Sequence, residues 1–224
     1  MNRVVFDIET LGYPLDSFDE KQQEYLLKFA RTEEERTEAI QKLALTPLTG
    51  HIIAIGMLNP ESQHGKVLFE SATMDSFTSE DGKVEFVSAS EKEMLEEFWK
   101  TITHFDQFIT FNGRAFDCPF IMLRSAILGV KPTRNLLPYR YGHNEHCDLL
   151  EQLTFYNAFR KFNLDFYCKS FGIKSPKSEG ITGLDLGPLF AAGRFREIAE
   201  YCFGDVKATA DLFFRWQSFL AFEK

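Results

Sequence analysis

Four stretches of the chain are apolar or alternate between apolar and polar residues, as the strands of a β-sheet do. The first stretch begins almost at the start of the chain, where Val4, Phe6 and Ile8 point to one side and need a covering layer. A strand of this kind is normally central in its sheet. The predicted strands are residues 3–9, 51–58, 66–70 and 107–111.

Helical periodicity dominates the second half of the chain. Ser90, with Glu93 three positions later, forms a capping box that starts one helix, and Gly129 closes the next. The predicted helices are residues 90–102, 117–128, 148–156, 164–171 and 195–219. Strands followed by a helix, a further strand and more helices indicate an α/β fold with a mixed sheet.

A polar, helix-prone segment separates the first two predicted strands. Residues 16–48 carry many charges and only a small apolar minority, namely Tyr25, Leu26, Phe29, Ile40 and Leu43. We interpret this segment as a helical hairpin inserted into a single domain that spans residues 1–224. It could be a lid, a surface for a protein partner or for self-association, or an excursion without function, and the sequence leaves these alternatives open.

The composition excludes several classes of protein. Hydrophobic residues make up 44% and charged residues 26% of the 224 positions, which rules out a disordered or collagen-like chain. No run of eighteen apolar residues occurs, so we expect no membrane span. Acidic residues fall where a signal peptide would need its apolar stretch, and Cys118, Cys147, Cys168 and Cys202 form no CxxC pair. We therefore expect a reduced, cytoplasmic location.

The net charge of −8 argues against tight, charge-driven binding to nucleic acid, but the charge is unevenly distributed. Residues 1–109 carry ten Lys or Arg against twenty-one Asp or Glu, whereas residues 110–180 carry ten against six. The basic middle permits a local phosphate-binding face, although scattered surface charges would give the same totals. The candidates for phosphate contacts are Arg114, Arg140, Arg160, Lys161, Lys169, Lys174 and Lys177.

Three clusters of acidic residues lie in elements that could converge. Asp7 and Glu9 are two positions apart on the first strand and leave it on one face. Asp117 begins a predicted helix, and Tyr201 and Asp205 lie one turn apart on the last helix. Four carboxylates without matching bases repel one another unless cations lie between them, and oxygen ligands suit hard ions such as Mg²⁺ or Mn²⁺.

Each cluster alone also has an ordinary structural explanation. An Asp-x-Glu at a strand end is commonly a solvated edge, Asp117 is an adequate helix N-cap, and a tyrosine four residues before an aspartate is common on helices. His143, His146 and Cys147 could suggest a zinc site, but a fourth ligand at a suitable spacing is missing. The periodicity of the twenty-four phenylalanines predicts that nearly all of them belong to the core.

The acids lie within three short motifs, FDIET, NGRAFDCPF and YCFGDV. These motifs resemble those of the DEDD superfamily of 3′–5′ exonucleases, and above all those of the proofreading exonuclease domain of family-B DNA polymerases and its free-standing predicted relatives. The similarity covers most of the chain except residues 16–48. It implies a DnaQ-like, ribonuclease H-like fold, with a mixed five-stranded sheet flanked by helices. Glu200 stands where other members have histidine, so Tyr201 is similar to the tyrosine of the DEDDy subclass.

The resemblance implies hydrolysis of phosphodiester bonds with two divalent cations. Asp7, Glu9 and Asp205 would hold the ion that lowers the pKa of the attacking water. Asp7 would also bridge to a second ion, with Asp117 nearby through water, at the leaving 3′ oxygen. Tyr201 would orient the water through its hydroxyl, because an ordinary tyrosine pKa of about 10 makes a poor general base.

The resemblance also implies contacts with nucleic acid. Thr10 and Leu11 would contact the terminal nucleotide, and Asn112 and Phe116 would lie beside the 3′ end, although Phe116 could equally pack into the core behind Asp117. We expect an exonuclease that releases nucleoside 5′-monophosphates from single-stranded 3′ ends, with DNA favoured over RNA. The alternatives are a non-catalytic nucleic-acid-binding or scaffold protein and a ribonuclease H-like endonuclease.

Overall fold

The computed structural model describes residues 1–175 and 180–221. The strands of these residues are β1 (Arg3–Gly12), β2 (Gly50–Leu58), β3 (Gly65–Phe69), β4 (Ser76–Thr78), β5 (Val84–Ser88), β6 (Gln107–Thr110) and β7 (His146–Asp148). They form one mixed sheet with the order β4-β5-β3-β2-β1-β6-β7. β1 pairs antiparallel with β2 and parallel with β6, and β6 pairs parallel with β7.

The described ranges contain eight α-helices. They are α1 (Glu20–Leu26), α2 (Glu33–Gln41), α3 (Glu91–Ile102), α4 (Asp117–Ile127), α5 (Leu149–Leu153), α6 (Leu164–Ser170), α7 (Leu186–Ala191) and α8 (Phe195–Phe219). The predicted capping box of Ser90 and Glu93 opens α3, and α8 has its predicted bounds. The sequence pattern did not predict α7, and α5 is shorter than predicted.

The prediction of five strands was wrong for the described sheet, which has seven. Five strands, in the order β3-β2-β1-β6-β7, reach to one edge of the sheet, and β5 and β4 extend it beyond β3 to the other edge. β4 and β7 are only three residues long. A strand of three residues is too short to show an alternating pattern in the sequence. It forms because a strand that is distant in sequence pairs with it.

β1 is central, as its apolar pattern predicted, because helices cover both of its faces. Phe6 belongs to a cluster that includes Phe98 of α3 and Phe120 of α4. Val5 points to the other face and packs in a cluster with Phe213 of α8. α8 crosses β1, β2 and β3 and also packs against α5, α6 and α7. The long last helix therefore lies directly over the strand that carries the first acidic motif.

The segment between β1 and β2 contains the predicted helices α1 and α2, flanked by 3-10 turns at Leu15–Ser17 and Lys42–Leu45. Its base is attached to the core. The Thr10 hydroxyl donates to the carbonyl oxygen of Ala44 at 2.7 Å, and Arg124 of α4 donates to the Tyr13 hydroxyl at 2.7 Å. The tip exposes apolar side chains, among them Tyr25 and Phe29. None of the helices in the described ranges has the length and apolar content that a membrane span requires.

Candidate active site

β1 presents two acids on the face that α8 covers. Asp7 and Glu9 lie opposite Gly56 and Ala54 of β2. Gly56 allows a close approach of α8, because a Cβ at this position would lie 2.7 Å from Val206 Cγ2 and 3.1 Å from Cys202 Sγ. The Cys202 thiol also contacts the carbonyl oxygen of Asp7 at 3.8 Å. The absence of a side chain on β2 thus brings α8 against the acidic part of β1.

α4 contributes Asp117 from the end of the neighbouring parallel strand. The prediction that Asp117 caps this helix was wrong: the N-cap is Phe116, and Asp117 is the first helical residue. Its Oδ1 instead accepts the N–H of Ile8 at 3.0 Å. The pairing of β1 with β6 extends only to Val5 and Ile109, so β1 runs on beyond it with backbone groups that a side chain can reach. Asp117 is therefore attached to β1 beside Asp7.

α8 contributes Tyr201 and Asp205 from adjacent turns. Tyr201 is buried in the cluster that includes Ala54 of β2 and Cys202, whereas Asp205 is partly exposed. The charge of Asp205 acts on the carboxyls of both Asp7 and Asp117. Three segments that are far apart in sequence therefore bring the predicted acids into electrostatic range of one another.

Burial and mutual repulsion raise the pKa values of the acids in this cluster. Burial raises the pKa of Asp7 well above its ordinary value, and the charges of Asp117, Glu9 and Asp205 raise it further. Burial also raises the pKa of Asp117 to about 7, although its bonds to backbone N–H groups oppose the shift. Such a cluster holds protons in the absence of cations, and a cation would displace them.

Tyr201 shares this environment. Burial raises the pKa of its hydroxyl, and the negative charges of Asp205, Glu9 and Asp7 add to the shift. The hydroxyl is consequently neutral throughout the physiological range and keeps a proton to donate. It can orient a water molecule or a phosphate oxygen, but it cannot act as a base at neutral pH.

The donor set suits a hard divalent cation. One ligand atom each from Asp7, Glu9 and Cys202 lies within 4.8 Å of the others, and the described residues contain no other group of this kind with three His, Cys, Asp or Glu members. Burial raises the pKa of the Cys202 thiol well above its ordinary value, so the thiol stays protonated and is a weak ligand. The carboxylate oxygens are the groups that could hold Mg²⁺ or Mn²⁺.

Asp148 is a structural residue of this region that the sequence analysis did not single out. Its carboxylate accepts the N–H groups of Asn112 at 3.1 Å, Arg114 at 2.9 Å, Leu150 at 3.0 Å and Glu151 at 3.3 Å. These bonds attach the turn after β6 to the start of α5. The signal was its position immediately before a predicted helix, which is typical of an N-cap.

The predicted substrate-contacting residues differ in burial, hydrogen bonding and packing. Thr10 is buried, and its hydroxyl is bonded to Ala44. Leu11 is partly buried against the cluster that contains Tyr201. Asn112 has a left-handed backbone with φ of 64°, and the ring of Phe116 packs against the core at 5.5 Å from that of Phe120. Their contacts with a nucleotide stay predictions.

Several predicted phosphate-binding cations are engaged by acids. The described pairs are Arg114 with Glu151, Arg140 with Glu151, and Lys169 with Asp165. Lys174 lines a groove with Tyr201, Arg160 and Lys161 are exposed, and Lys177 lies outside the described residues. Arg140, Lys169 and Lys174 are exposed as well, so exposure alone does not select the phosphate-binding cations.

The possible zinc ligands serve the core instead. His146 of β7 stacks on Phe108 with 4.4 Å between ring centroids and shares a hydrogen bond of 2.8 Å with Thr110. Burial lowers the pKa of His146 to about 3. His143 contacts the Trp216 ring edge to face, and Cys147 is buried. No described metal-ligand group includes these three side chains.

A model of predicted 3′–5′ exonucleases related to the exonuclease domain of PolB matches residues 49–221. This match covers well over half of the chain. The chain belongs to this family. The part that matches the exonuclease family contains Asp117, Tyr201 and Asp205, whereas Asp7 and Glu9 precede it. No curated protein matches the chain.

The structure is also similar to that of the family B DNA polymerase from the hyperthermophilic archaeon Pyrobaculum calidifontis, with a TM-score of 0.64 and 18% sequence identity. The similarity covers 98% of this chain but only 25% of the polymerase chain. At this identity it shows the fold alone. The ribonuclease H-like α/β fold that the motifs implied is thereby confirmed, with two more strands than predicted.

Proposed function

We propose that the protein is a metal-dependent 3′–5′ exonuclease that hydrolyses phosphodiester bonds at the 3′ end of single-stranded nucleic acid, with DNA favoured, and releases nucleoside 5′-monophosphates. The observation that carries the proposal is the convergence of Asp7, Asp117 and Asp205, from β1, α4 and α8, in mutual electrostatic contact. Membership of the exonuclease family supports the same reading.

The acids would hold two divalent cations, Mg²⁺ or Mn²⁺. Asp7, Glu9 and Asp205 are proposed as ligands of one ion, and Asp7 together with Asp117 as ligands of the other. Bound ions of this kind lower the pKa of an attacking water and neutralise charge on the leaving oxygen. The raised pKa of Asp7 and of Asp117, caused first by burial and then by neighbouring carboxylates, fits such occupancy, because a bound cation would stabilise the ionised form of both side chains.

The remaining side chains would position the reactants. Tyr201 keeps its proton at neutral pH, so its hydroxyl would orient the attacking water and not deprotonate it. Thr10 and Leu11 would contact the terminal nucleotide, with Asn112 and Phe116 beside the 3′ end. Because the Thr10 hydroxyl donates to Ala44, we propose that Thr10 contacts the nucleotide through its backbone.

Parallel digestion of a 3′-labelled and a 5′-labelled single-stranded oligonucleotide tests the proposal. In the presence of Mn²⁺, we expect the 3′ label to leave at once as a mononucleotide and the 5′-labelled strand to shorten one residue at a time. Release of internal fragments would identify an endonuclease, and no release would favour a binding or scaffold role. Matched DNA and RNA strands in the same assay determine which sugar is preferred.

We extend the proposal to the organisation of the chain. Residues 1–224 would form a single domain with a cytoplasmic location, which subcellular fractionation tests. The exposed Tyr25 and Phe29 support a role of residues 16–48 in binding a protein partner or in self-association. Sedimentation of the parent and of a Phe29→Ser variant would show whether that surface joins two copies.

A further inference from the structure

The segment between α5 and α6, residues 154–163, exposes aromatic side chains beside two cations. Phe155 and Phe159 are 56% and 65% exposed, and their ring centroids lie 6.0 Å apart in an edge-to-face arrangement. Arg160 and Lys161 follow directly, and no acid occurs in the segment, although the whole chain has a net charge of −8. Phenylalanine is normally an interior residue, so adjacent exposed phenylalanines on a basic loop indicate a binding surface.

The backbone of this segment is held in a conformation that bulky residues avoid. Phe155, Tyr156 and Asn157 have φ values of 49°, 56° and 73°. The turn is nevertheless well bonded, since the N–H of Tyr156 donates to the carbonyl oxygen of Glu151 at 2.8 Å and that of Asn157 to the hydroxyl of buried Thr154 at 3.3 Å. Strain that the surroundings maintain in this way is concentrated at binding and active sites.

Ring contacts connect this segment to the candidate active site. Phe111 lies at the end of β6, at the start of the turn that leads to α4, and its ring centroid is 5.7 Å from that of Tyr167 on α6. Tyr167 lies 6.5 Å from Phe162, which stacks on Phe166 at 4.3 Å. Phe166 is 52% exposed. These ring contacts therefore run from the turn between β6 and α4, which precedes Asp117, to the exposed ring of Phe166.

We propose that Phe155, Phe159, Arg160, Phe162 and Phe166, here called the aromatic loop surface, bind the single strand upstream of the 3′ end. This inference rests on the proposed function. Bases stack on exposed aromatic rings whatever their sequence, and a guanidinium attracts the phosphates between them. The Arg160 guanidinium lies 5.0 Å from the centre of the Phe162 ring, so one patch offers both interactions. Rings together with cations, with no acid in residues 154–163, fit a polyanion with flat bases better than they fit a protein surface.

The double variant Phe155→Asn with Phe159→Ser tests this surface. Asparagine accepts the left-handed backbone at position 155, so we expect the variant to be as stable as the parent or slightly more stable. Loss of two stacked bases should weaken binding of a fluorescent oligothymidylate of about twelve nucleotides about tenfold or more, measured by anisotropy with EDTA to prevent cleavage. Phe219→Ser, at the end of α8, is the matched control, because Phe219 is 69% exposed.

The effect on cleavage should depend on substrate length. In the variant, the KM for the twelve-nucleotide strand should rise about tenfold, and the preference of the parent for this strand over a trinucleotide should disappear. Equal binding by variant and parent would overturn the inference, as would an equal loss in Phe219→Ser. A change in sedimentation with unchanged DNA binding would also overturn it, in favour of contact between copies.

The exonuclease proposal and the proposed role of the aromatic loop surface can be tested separately. If the parent hydrolyses neither the oligonucleotides nor the p-nitrophenyl ester of thymidine 5′-monophosphate, the exonuclease proposal is wrong. The anisotropy measurement needs no hydrolysis, so it still reports whether the aromatic loop surface binds the strand.

Discussion

The substitution Asp117→Asn should stabilise the metal-free protein at alkaline pH. Asp117 is 2% exposed, and burial raises the pKa of its carboxyl to about 7. Its Oδ1 accepts the N–H of Ile8 at 3.0 Å, and the carbonyl oxygen of asparagine can keep this bond. The substitution therefore removes an unfavourable charge at little cost in hydrogen bonding.

The magnitude follows from the pKa shift. A rise from 3.8 to about 7 corresponds to about 4 kcal/mol of lost stability at pH 8, where the carboxyl is ionised in both states. Between these two values the folded state holds a proton that the unfolded state has lost, so stability falls as the pH rises through this window. Because Asp7 and Asp117 act on each other, the two effects are not additive. We therefore expect Asp117→Asn to raise the free energy of unfolding by about 2–4 kcal/mol, or Tm by about 4–16 °C.

Thermal unfolding followed by circular dichroism, in EDTA at pH 5 and pH 8, measures this gain. The gain should be smaller at pH 5, where the folded parent still holds the proton. Added Mn²⁺ should reverse the order of the two proteins, because the parent offers a full carboxylate to the cation and the variant only a neutral oxygen.

Asp148→Asn is the matched control, since Asp148 is also a buried acid whose pKa is raised by burial. Its carboxylate satisfies the N–H groups of Asn112, Arg114, Leu150 and Glu151. The asparagine amide has one oxygen in place of two, so it cannot accept the N–H groups that both carboxylate oxygens accept. The free energy of unfolding of Asp148→Asn should therefore fall by about 1–3 kcal/mol. If Asp117→Asn destabilised the metal-free protein as much as Asp148→Asn does, Asp117 would be a structural residue and the repulsion argument would be refuted.

Three further predictions concern catalysis, the pH dependence of stability and the ion pair between α3 and α4. Asp205→Ala should abolish cleavage and retain the circular dichroism spectrum of the folded protein. Tyr201→Phe should lower kcat about 10²–10⁴-fold, and excess Mn²⁺ should not restore it. An unchanged rate would make Tyr201 a packing residue. Burial lowers the pKa of His146 to about 3, so below pH 6.5 the unfolded chain binds a proton that the folded protein does not. The free energy of unfolding should therefore fall by about 2 kcal/mol at pH 5 because of this residue. Denaturant titration of His146→Gln should show a weaker pH dependence. Arg124→Ala should lower the free energy of unfolding by about 3 kcal/mol in denaturant titrations, because the Glu91 carboxylate, which accepts from Arg124 at 2.6 Å, loses the cation that balances its charge. A loss below 1 kcal/mol would contradict this.

Local sequence was sufficient for elements whose signal is contained within them. The bounds of α8, the capping box of α3 and the central position of β1 followed from apolar periodicity and short-range capping. The residue types of the site were also readable, because a cluster of acids in three motifs resembled a known exonuclease pattern. In each case the information lies within a few residues of the element concerned.

The tertiary structure decided what depends on partners distant in sequence. β4 and β7 exist only because β5 and β6 offer them backbone hydrogen bonds. Asp117 is an acceptor for Ile8 and not the N-cap of α4, because the fold places its carboxyl beside a strand that is distant in sequence. The raised pKa of Asp7 depends first on its burial and then on the charges of Asp117, Glu9 and Asp205. The close approach of α8 depends on the missing side chain of Gly56. Charge repulsion and close packing act through space, so only the folded chain determines them.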